Sequence, residues 1–114
     1  MPWQNPMTLK TAGHIQKNGE TLLLRIPGTG TFVIGRSEAA DAIDHNRSAP
    51  VVARSSESEG GSQLCWFEAG RMTRSRSGKA LILHIRDATY TASVRGVAEL
   101  LSGLRRYTVL ARVT

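Results

Sequence analysis

Cysteine, long apolar runs and signal sequences are scarce or missing in this chain. Cys65 is the only cysteine, so no internal disulfide can form and a reducing, cytoplasmic setting is expected. No apolar stretch approaches the roughly 20 residues that a membrane helix needs. Residues 1–6 lack the charged start and apolar core of a signal peptide. We therefore expect a cytoplasmic globular protein without a membrane partner.

Residue groups with catalytic or metal-binding spacing are scarce as well. The three histidines, His14, His45 and His84, are scattered and do not have zinc-ligand spacing. No carboxylate pair or nucleophile–base set recurs along the chain. Gly78-Lys79 lies in a predicted hairpin, whereas a phosphate-binding loop joins a strand to a helix. The expectation is a protein that is not an enzyme and has no cofactor or metal.

Positive charge is present in excess, and it is unevenly distributed. The net charge is +6, and twelve of the fifteen cationic residues are arginine, which suits bidentate contacts to phosphate or carboxylate groups. Residues 1–54 hold six cations and four acids, residues 55–68 hold three acids, and residues 69–114 hold nine cations and two acids. The C-terminal part of the chain is therefore the better candidate for binding an anionic partner.

The chain contains an internal repeat, in which residues 12–54 align with residues 69–112. The alternating apolar residues Leu22, Leu24 and Ile26 match Leu81, Leu83 and Ile85. In the last segment, Val51-Val52-Ala53-Arg54 aligns with Val109-Leu110-Ala111-Arg112. Because the same order of elements recurs in both copies, we predict a tandem duplication.

Each copy is predicted to be a β-β-β-α-β unit. Alternation with a period of two indicates half-buried strands, and Asn18-Gly19 and Ser77-Gly78 predict hairpin turns. Apolar spacing from Val97 to Leu104 predicts an amphipathic helix. The helix of the first copy is weaker, with Ser37 as its expected N-cap.

The predicted fold class is α+β, a pseudo-twofold antiparallel sheet sandwich or barrel with two short helices. Residues 1–54 form the first repeat, residues 55–66 a linker and residues 67–114 the second repeat, and the two repeats pack as one domain. Outward-facing apolar residues also occur in the predicted strands, namely Leu23, Val33, Ile82 and, as a further candidate, Trp66. Either the two sheets meet over this face or a homodimer covers it.

The strongest functional pattern is a basic strand that runs into a hairpin tip. It contains Arg71, Arg74, Arg76 and Lys79, separated by Ser and Thr hydroxyls that add phosphate contacts. The corresponding tip of the first copy, Lys17-Asn18-Gly19-Glu20, is shorter and far less basic. A solvated turn whose charge serves solubility is the alternative interpretation.

A second basic group, Arg105, Arg106 and Arg112, follows the second helix. Cations near a helix C-terminus interact favourably with its dipole, which is a sufficient structural reason for Arg105 and Arg106. An extension of the basic surface is the functional alternative.

Few aromatic residues are available to stack on nucleic-acid bases. Phe32 and Tyr90 occupy equivalent strand positions, which favours core packing. Trp3, Trp66 and Tyr107 have no counterpart in the other copy, and one of them is a candidate stacking platform.

These patterns predict a small basic protein that contacts the phosphate backbone of DNA or RNA, with single strands favoured over duplexes. The alternative is an interaction or assembly module, including a transcription-regulator or antitoxin-like role, whose basic face docks on an acidic protein.

Overall fold

Eight antiparallel strands and two short helices make up the fold in the computed structural model, which describes residues 9–55 and 65–113. In chain order the elements are β1 Leu9–Asn18, β2 Thr21–Ile26, β3 Gly30–Gly35, α1 Arg36–Asp44, β4 Ala49–Ser55, β5 Cys65–Arg74, β6 Ala80–Ile85, β7 Ala88–Ser93, α2 Val94–Leu101 and β8 Tyr107–Val113. We call residues 9–55 the first half and residues 65–113 the second half.

The strands form a closed barrel in sequence order, and β1 pairs with β8 to complete it. Of the two predicted arrangements, sandwich or barrel, the barrel is therefore the one observed. The pairing of the first strand with the last joins all eight strands into one ring. Among the described residues, neither helix has the length and apolar character needed to cross a membrane.

Both helices lie at the same end of the barrel. α1 follows β3 and α2 follows β7, and these two strands run in the same direction because all neighbouring strands are antiparallel. The β1–β2 and β5–β6 hairpins turn at this end too. We call it the helical end.

The barrel interior is filled by alternate side chains of the strands, and the helices add apolar residues at the helical end. β2 and β6 show the same alternation of buried and less buried positions, which confirms the predicted half-buried strands. The largest fully buried side chains are Phe32, Ile15, Leu22, Leu24, Ile34, Met72, Leu81, Leu83, Ile85, Leu100, Leu110 and Val51. The apolar faces of both halves thus meet in one shared core.

The order β-β-β-α-β occurs once in each half. An evolutionary duplication stays a prediction.

Strand pairing defines which positions of the two halves are equivalent. Val51 pairs with Gly70 across β4 and β5, and Leu110 pairs with Gly13 across β8 and β1. Val51 therefore corresponds to Leu110, so the alignment of Val51 with Val109 was wrong by one residue. The extra residue of the second half lies between its third strand and β8, where sequence similarity alone cannot locate it.

Glycine is required at the same place in both halves. Gly13 and Gly70 each lie beside a bulge in the first strand of their half. A Cβ atom on Gly13 would lie 2.0 Å from the Arg25 carbonyl oxygen, and one on Gly70 would lie 1.9 Å from that of His84. Only glycine lets the backbones of neighbouring strands approach so closely.

Both helices differ from the prediction at their ends, and Leu104, predicted on the apolar face of the second helix, lies beyond the last residue of α2 and is exposed. Gly35 is the N-cap of α1 and Ser37 lies inside the first turn, so the predicted Ser37 cap was wrong. In α2 the hydroxyl of Ser93 accepts a hydrogen bond of 2.8 Å from the backbone N–H of Gly96. The side-chain cap thus belongs to the second half.

Some predictions concern parts of the chain outside the described residues. The greater part of the 55–66 linker lies there, as does Trp3, and the side chains of Cys65 and Trp66 are not described either. The linker boundaries and the roles of these three residues stay predictions.

Candidate nucleic-acid interface

Arg74 connects the basic β5–β6 hairpin to the first helix. Its Nε donates to the Gly78 carbonyl oxygen at 3.0 Å, across the hairpin, and its Nη1 donates to the carbonyl oxygen of Ile43 in α1. The side chain is partly buried. These contacts give Arg74 a structural role in addition to its charge.

Arg71 is also held by protein groups. It lies on the outer surface of β5, where its Nε donates to Ser48 Oγ at 2.7 Å and its Nη1 lies 3.0 Å from Glu68 Oε2. The ion pair is half exposed, so it contributes little to stability. It does offset the positive charge that Arg71 would present to a ligand.

Arg76 and Lys79 at the hairpin tip are exposed, and neither forms an ion pair with any residue in the described ranges. The carbonyl oxygen of Lys79 accepts a 3.0 Å hydrogen bond from the backbone N–H of Val94, the first residue of α2. This contact holds the Lys79 backbone at the start of the second helix.

Arg105 and Arg106 follow α2 in the loop before β8. Arg105 donates to Glu99 Oε1 through Nη2 at 2.7 Å, and Arg95 Nε lies 3.1 Å from Glu99 Oε2. The hydrogen bonds from Arg105 and then Arg95 lower the pKa of the Glu99 carboxyl below its ordinary value. One acid thus faces two arginines, which leaves a net positive charge.

A groove opens between β7 and β8 at the helical end. The two strands pair only at Tyr90–Arg112 and Thr91–Ala111. In a longer ladder Ser93 would oppose Val109, but both residues line an open groove of about 390 Å³ instead.

This second-half groove brings together groups that are distant in the chain. Its lining includes Lys79 from the hairpin, Arg105 from the loop after α2, and the hydroxyl residues Thr91, Ser93 and Thr108. Two cations and hydroxyl groups on one concave surface suit a phosphate-bearing ligand.

The first half has a groove at the equivalent place, and its charge is different. β3 and β4 pair only at Phe32–Ala53 and Val33–Val52, and the groove of about 310 Å³ beyond them is lined by Gly35, Pro50 and Glu38. Gly35 corresponds to Ser93 and Pro50 to Val109. No cation lines this first-half groove within the described part of the chain.

Glu20 occupies the position that Lys79 has in the second half. The Glu20 carbonyl oxygen accepts a 3.0 Å hydrogen bond from the N–H of Arg36, the first residue of α1. Lys79 makes the same contact with the start of α2. The fold therefore places an acid and a base at equivalent points of the two halves.

Arg112 lies away from the groove cations. It is five residues beyond the start of β8, which corresponds to about 17 Å along a strand, and it pairs with Lys10 of β1. The predicted set is thus divided. Arg74, Arg76, Lys79, Arg105 and Arg106 lie at the helical end, Arg71 lies on the outer surface of β5, and Arg112 lies toward the opposite end.

Three large apolar side chains are exposed beside the basic residues. Leu104 is 78% exposed, Tyr107 is 59% exposed and Val109 is 49% exposed. The ring of His14 contacts that of Tyr107 edge to face, with 6.0 Å between ring centroids and an interplanar angle of 63°. This apolar surface continues the groove across β8 to β1.

Sequence reasoning did not identify the groove, the Arg95–Glu99–Arg105 network or the His14–Tyr107 contact. Each depends on residues that meet only when β7, α2, β8 and β1 are assembled. The described residues contain no cluster of metal-ligating side chains. Comparison of the chain with protein-family models, with curated proteins and with solved structures gives no match.

Proposed function

We propose that this protein binds the sugar–phosphate backbone of nucleic acid at the second-half groove. The observation that carries the proposal is that Lys79 and Arg105 line one groove, whereas the equivalent groove of the first half has no cation lining it among the described residues. Solubility depends on the net charge and does not require the cations to be concentrated at one of two equivalent grooves.

Neighbouring residues extend this surface beyond the groove. Arg76 lies at the tip of the hairpin that carries Lys79, and Arg106 follows Arg105. Both are exposed, and Thr91 and Ser93 line the same groove as Lys79 and Arg105. Such an arrangement recognises backbone charge and carries no base-reading element of its own.

Fluorescence anisotropy with labelled oligonucleotides tests the proposal. With three or four phosphate contacts, the affinity for a single strand should fall roughly 20- to 50-fold between about 50 mM and 200 mM salt, because bound counterions are released on binding. Complete absence of binding at about 50 mM salt would contradict the proposal.

A triple variant locates the contacts. Arg76→Ala, Lys79→Ala and Arg106→Ala together should weaken binding and flatten its salt dependence by about two units of slope. The matched control removes three cations from the first half, Lys17→Ala, Arg36→Ala and Arg47→Ala. Equal losses in the two triple variants would show that net charge alone governs binding.

A second candidate function is docking on an acidic protein, and the exposed Leu104 and Val109 beside the basic residues favour it. Protein interfaces combine an apolar centre with a charged rim. Binding to a polyglutamate peptide without binding to any oligonucleotide would select this candidate.

A further inference from the structure

The junction between β8 and β1 exposes an aromatic pair that the barrel does not need for closure. Tyr107 pairs with Gln16 across this junction, and its ring contacts His14. His14 Nε2 lies 3.3 Å from Gln16 Oε1, which holds the imidazole on the outer surface of β1. The phenol ring is more than half exposed.

The equivalent junction, between β4 and β5, shows what closure alone requires. Ala49 pairs with Met72, and Thr108 pairs with Ile15, so the preceding residues Ser48 and Tyr107 occupy equivalent positions.

The partners at these positions are equivalent too, since Arg71 precedes Met72 and His14 precedes Ile15. At the β4–β5 junction the contact is a hydrogen bond of 2.7 Å from Arg71 Nε to Ser48 Oγ. A hydrogen-bonded polar pair without an aromatic ring closes that junction, so closure does not require the two rings at the other junction.

The aromatic pair lies next to the second-half groove. Tyr107 and Val109 are two residues apart on β8, so their side chains project from the same outer face, and Val109 lines the groove. Arg105, on the groove wall, precedes Tyr107 by two residues. A strand whose phosphates lie on Lys79 and Arg105 would thus carry its bases past the phenol ring.

We propose that Tyr107, held by His14, is a stacking platform for an unpaired base. This inference rests on the proposed function and deepens it by naming single-stranded nucleic acid as the ligand. Base–aromatic stacking requires a base whose face is open, and in a duplex both faces are covered by neighbouring base pairs.

Affinities of a labelled 12-nucleotide single strand and its duplex test the proposal. Tyr107→Ala should weaken single-strand binding about 5- to 150-fold, the range for loss of one stacked base, and should change duplex binding less than twofold. Tyr107→Phe should bind as the unaltered protein does, because stacking needs the ring and not the hydroxyl. Phe67→Ala, which removes an exposed aromatic ring from β5 outside the groove, is the matched control and should change the single-strand affinity less than twofold.

The outcomes separate this inference from the function on which it rests. In one outcome the unaltered protein binds oligonucleotides with steep salt dependence while Tyr107→Ala leaves the single-strand affinity unchanged. This result would contradict the stacking role of Tyr107 and would support backbone binding. An equal loss for single strand and duplex also overturns the platform. If the unaltered protein binds no oligonucleotide at about 50 mM salt, both proposals fail.

Discussion

The two grooves of this barrel are built alike and charged differently. Each opens where the third and fourth strands of its half stop pairing, next to the start of a helix. The second-half groove carries Lys79 and Arg105, whereas the first-half groove carries Glu38. The backbone arrangement therefore serves folding in both halves, and the difference in side chains is where binding should be sought.

The two strand junctions teach the same lesson. Gly13 and Gly70 are identical because both positions admit no Cβ atom. One residue further along, where the chain faces solvent, His14 and Arg71 differ. The position fixed by close backbone approach carries the same residue in both halves, and the neighbouring outward-facing position carries different ones.

The largest expected effect is a loss of stability on substitution of the glycines that the two halves share. Gly70→Ala and Gly13→Ala should each lower the free energy of unfolding by about 3 kcal/mol or more, because the new methyl group meets a backbone carbonyl that cannot move aside. Chemical denaturation measures both values. Gly19→Ala is the control, since its Cβ would meet nothing within 4 Å and the strain of its positive φ costs only about 1 kcal/mol. A loss below 1 kcal/mol at Gly70 would contradict the close approach of β5 and β6.

A smaller loss of stability should follow from Arg74→Met. The substitution keeps the apolar stem but removes the hydrogen bonds to Gly78 and Ile43, so the free energy of unfolding should fall by about 2 kcal/mol. Arg76→Met removes the same charge from the same hairpin and should leave thermal stability unchanged. Equal stability of the two variants would show that Arg74 does not tie the hairpin to α1.

The smallest effect concerns the charge at the groove wall. Glu99→Gln removes the acid that offsets Arg105 and Arg95, and it should strengthen oligonucleotide binding about threefold, the scale of an exposed ion pair. Glu38→Gln makes the same change at the first-half groove and should have no effect. Anisotropy titrations at low salt measure both, and a similar gain in the two variants would contradict a binding role specific to the second half.

Acid pH gives an independent readout of the Glu99 network. Because the arginines lower the Glu99 pKa in the folded state, its ion pairs stabilise the fold above the ordinary carboxyl pKa of 4.5. That contribution is lost as the pH falls through the lowered value. The melting temperature of the unaltered protein should therefore approach that of Glu99→Gln as the pH is lowered from about 6 to 3.

Much of the fold could be predicted from local patterns, whereas the site could not. Alternation from Leu22 to Ile26 and from Leu81 to Ile85 identifies strands, because burial on one face leaves a period of two in the sequence. Whether the strands form a barrel or a sandwich depends on the pairing of β1 with β8. No local sequence pattern encodes this pairing. The predicted Ser37 cap was wrong because the helix begins two residues earlier, with Gly35 as its N-cap.

The seven predicted cations were selected by their proximity in the chain, and the structure sorts them by contact. Arg71 and Arg74 are engaged by protein groups, and Arg112 faces Lys10 on β1. Lys79 and Arg105 line one groove because α2 leads the chain back to the β5–β6 hairpin. The position of α2 depends on tertiary packing, which local sequence patterns do not encode.

The most direct test of the central claim exchanges the charges at the two equivalent positions. The double variant Lys79→Glu with Glu20→Lys keeps the net charge at +6 and alters only which half carries the cation. We expect its oligonucleotide affinity at about 50 mM salt to fall about tenfold, as in Lys79→Glu alone, because a phosphate contact is replaced by repulsion. Glu20→Lys alone should bind within twofold of the unaltered protein. A double variant that binds as tightly as the unaltered protein would contradict a specific role for the second-half groove.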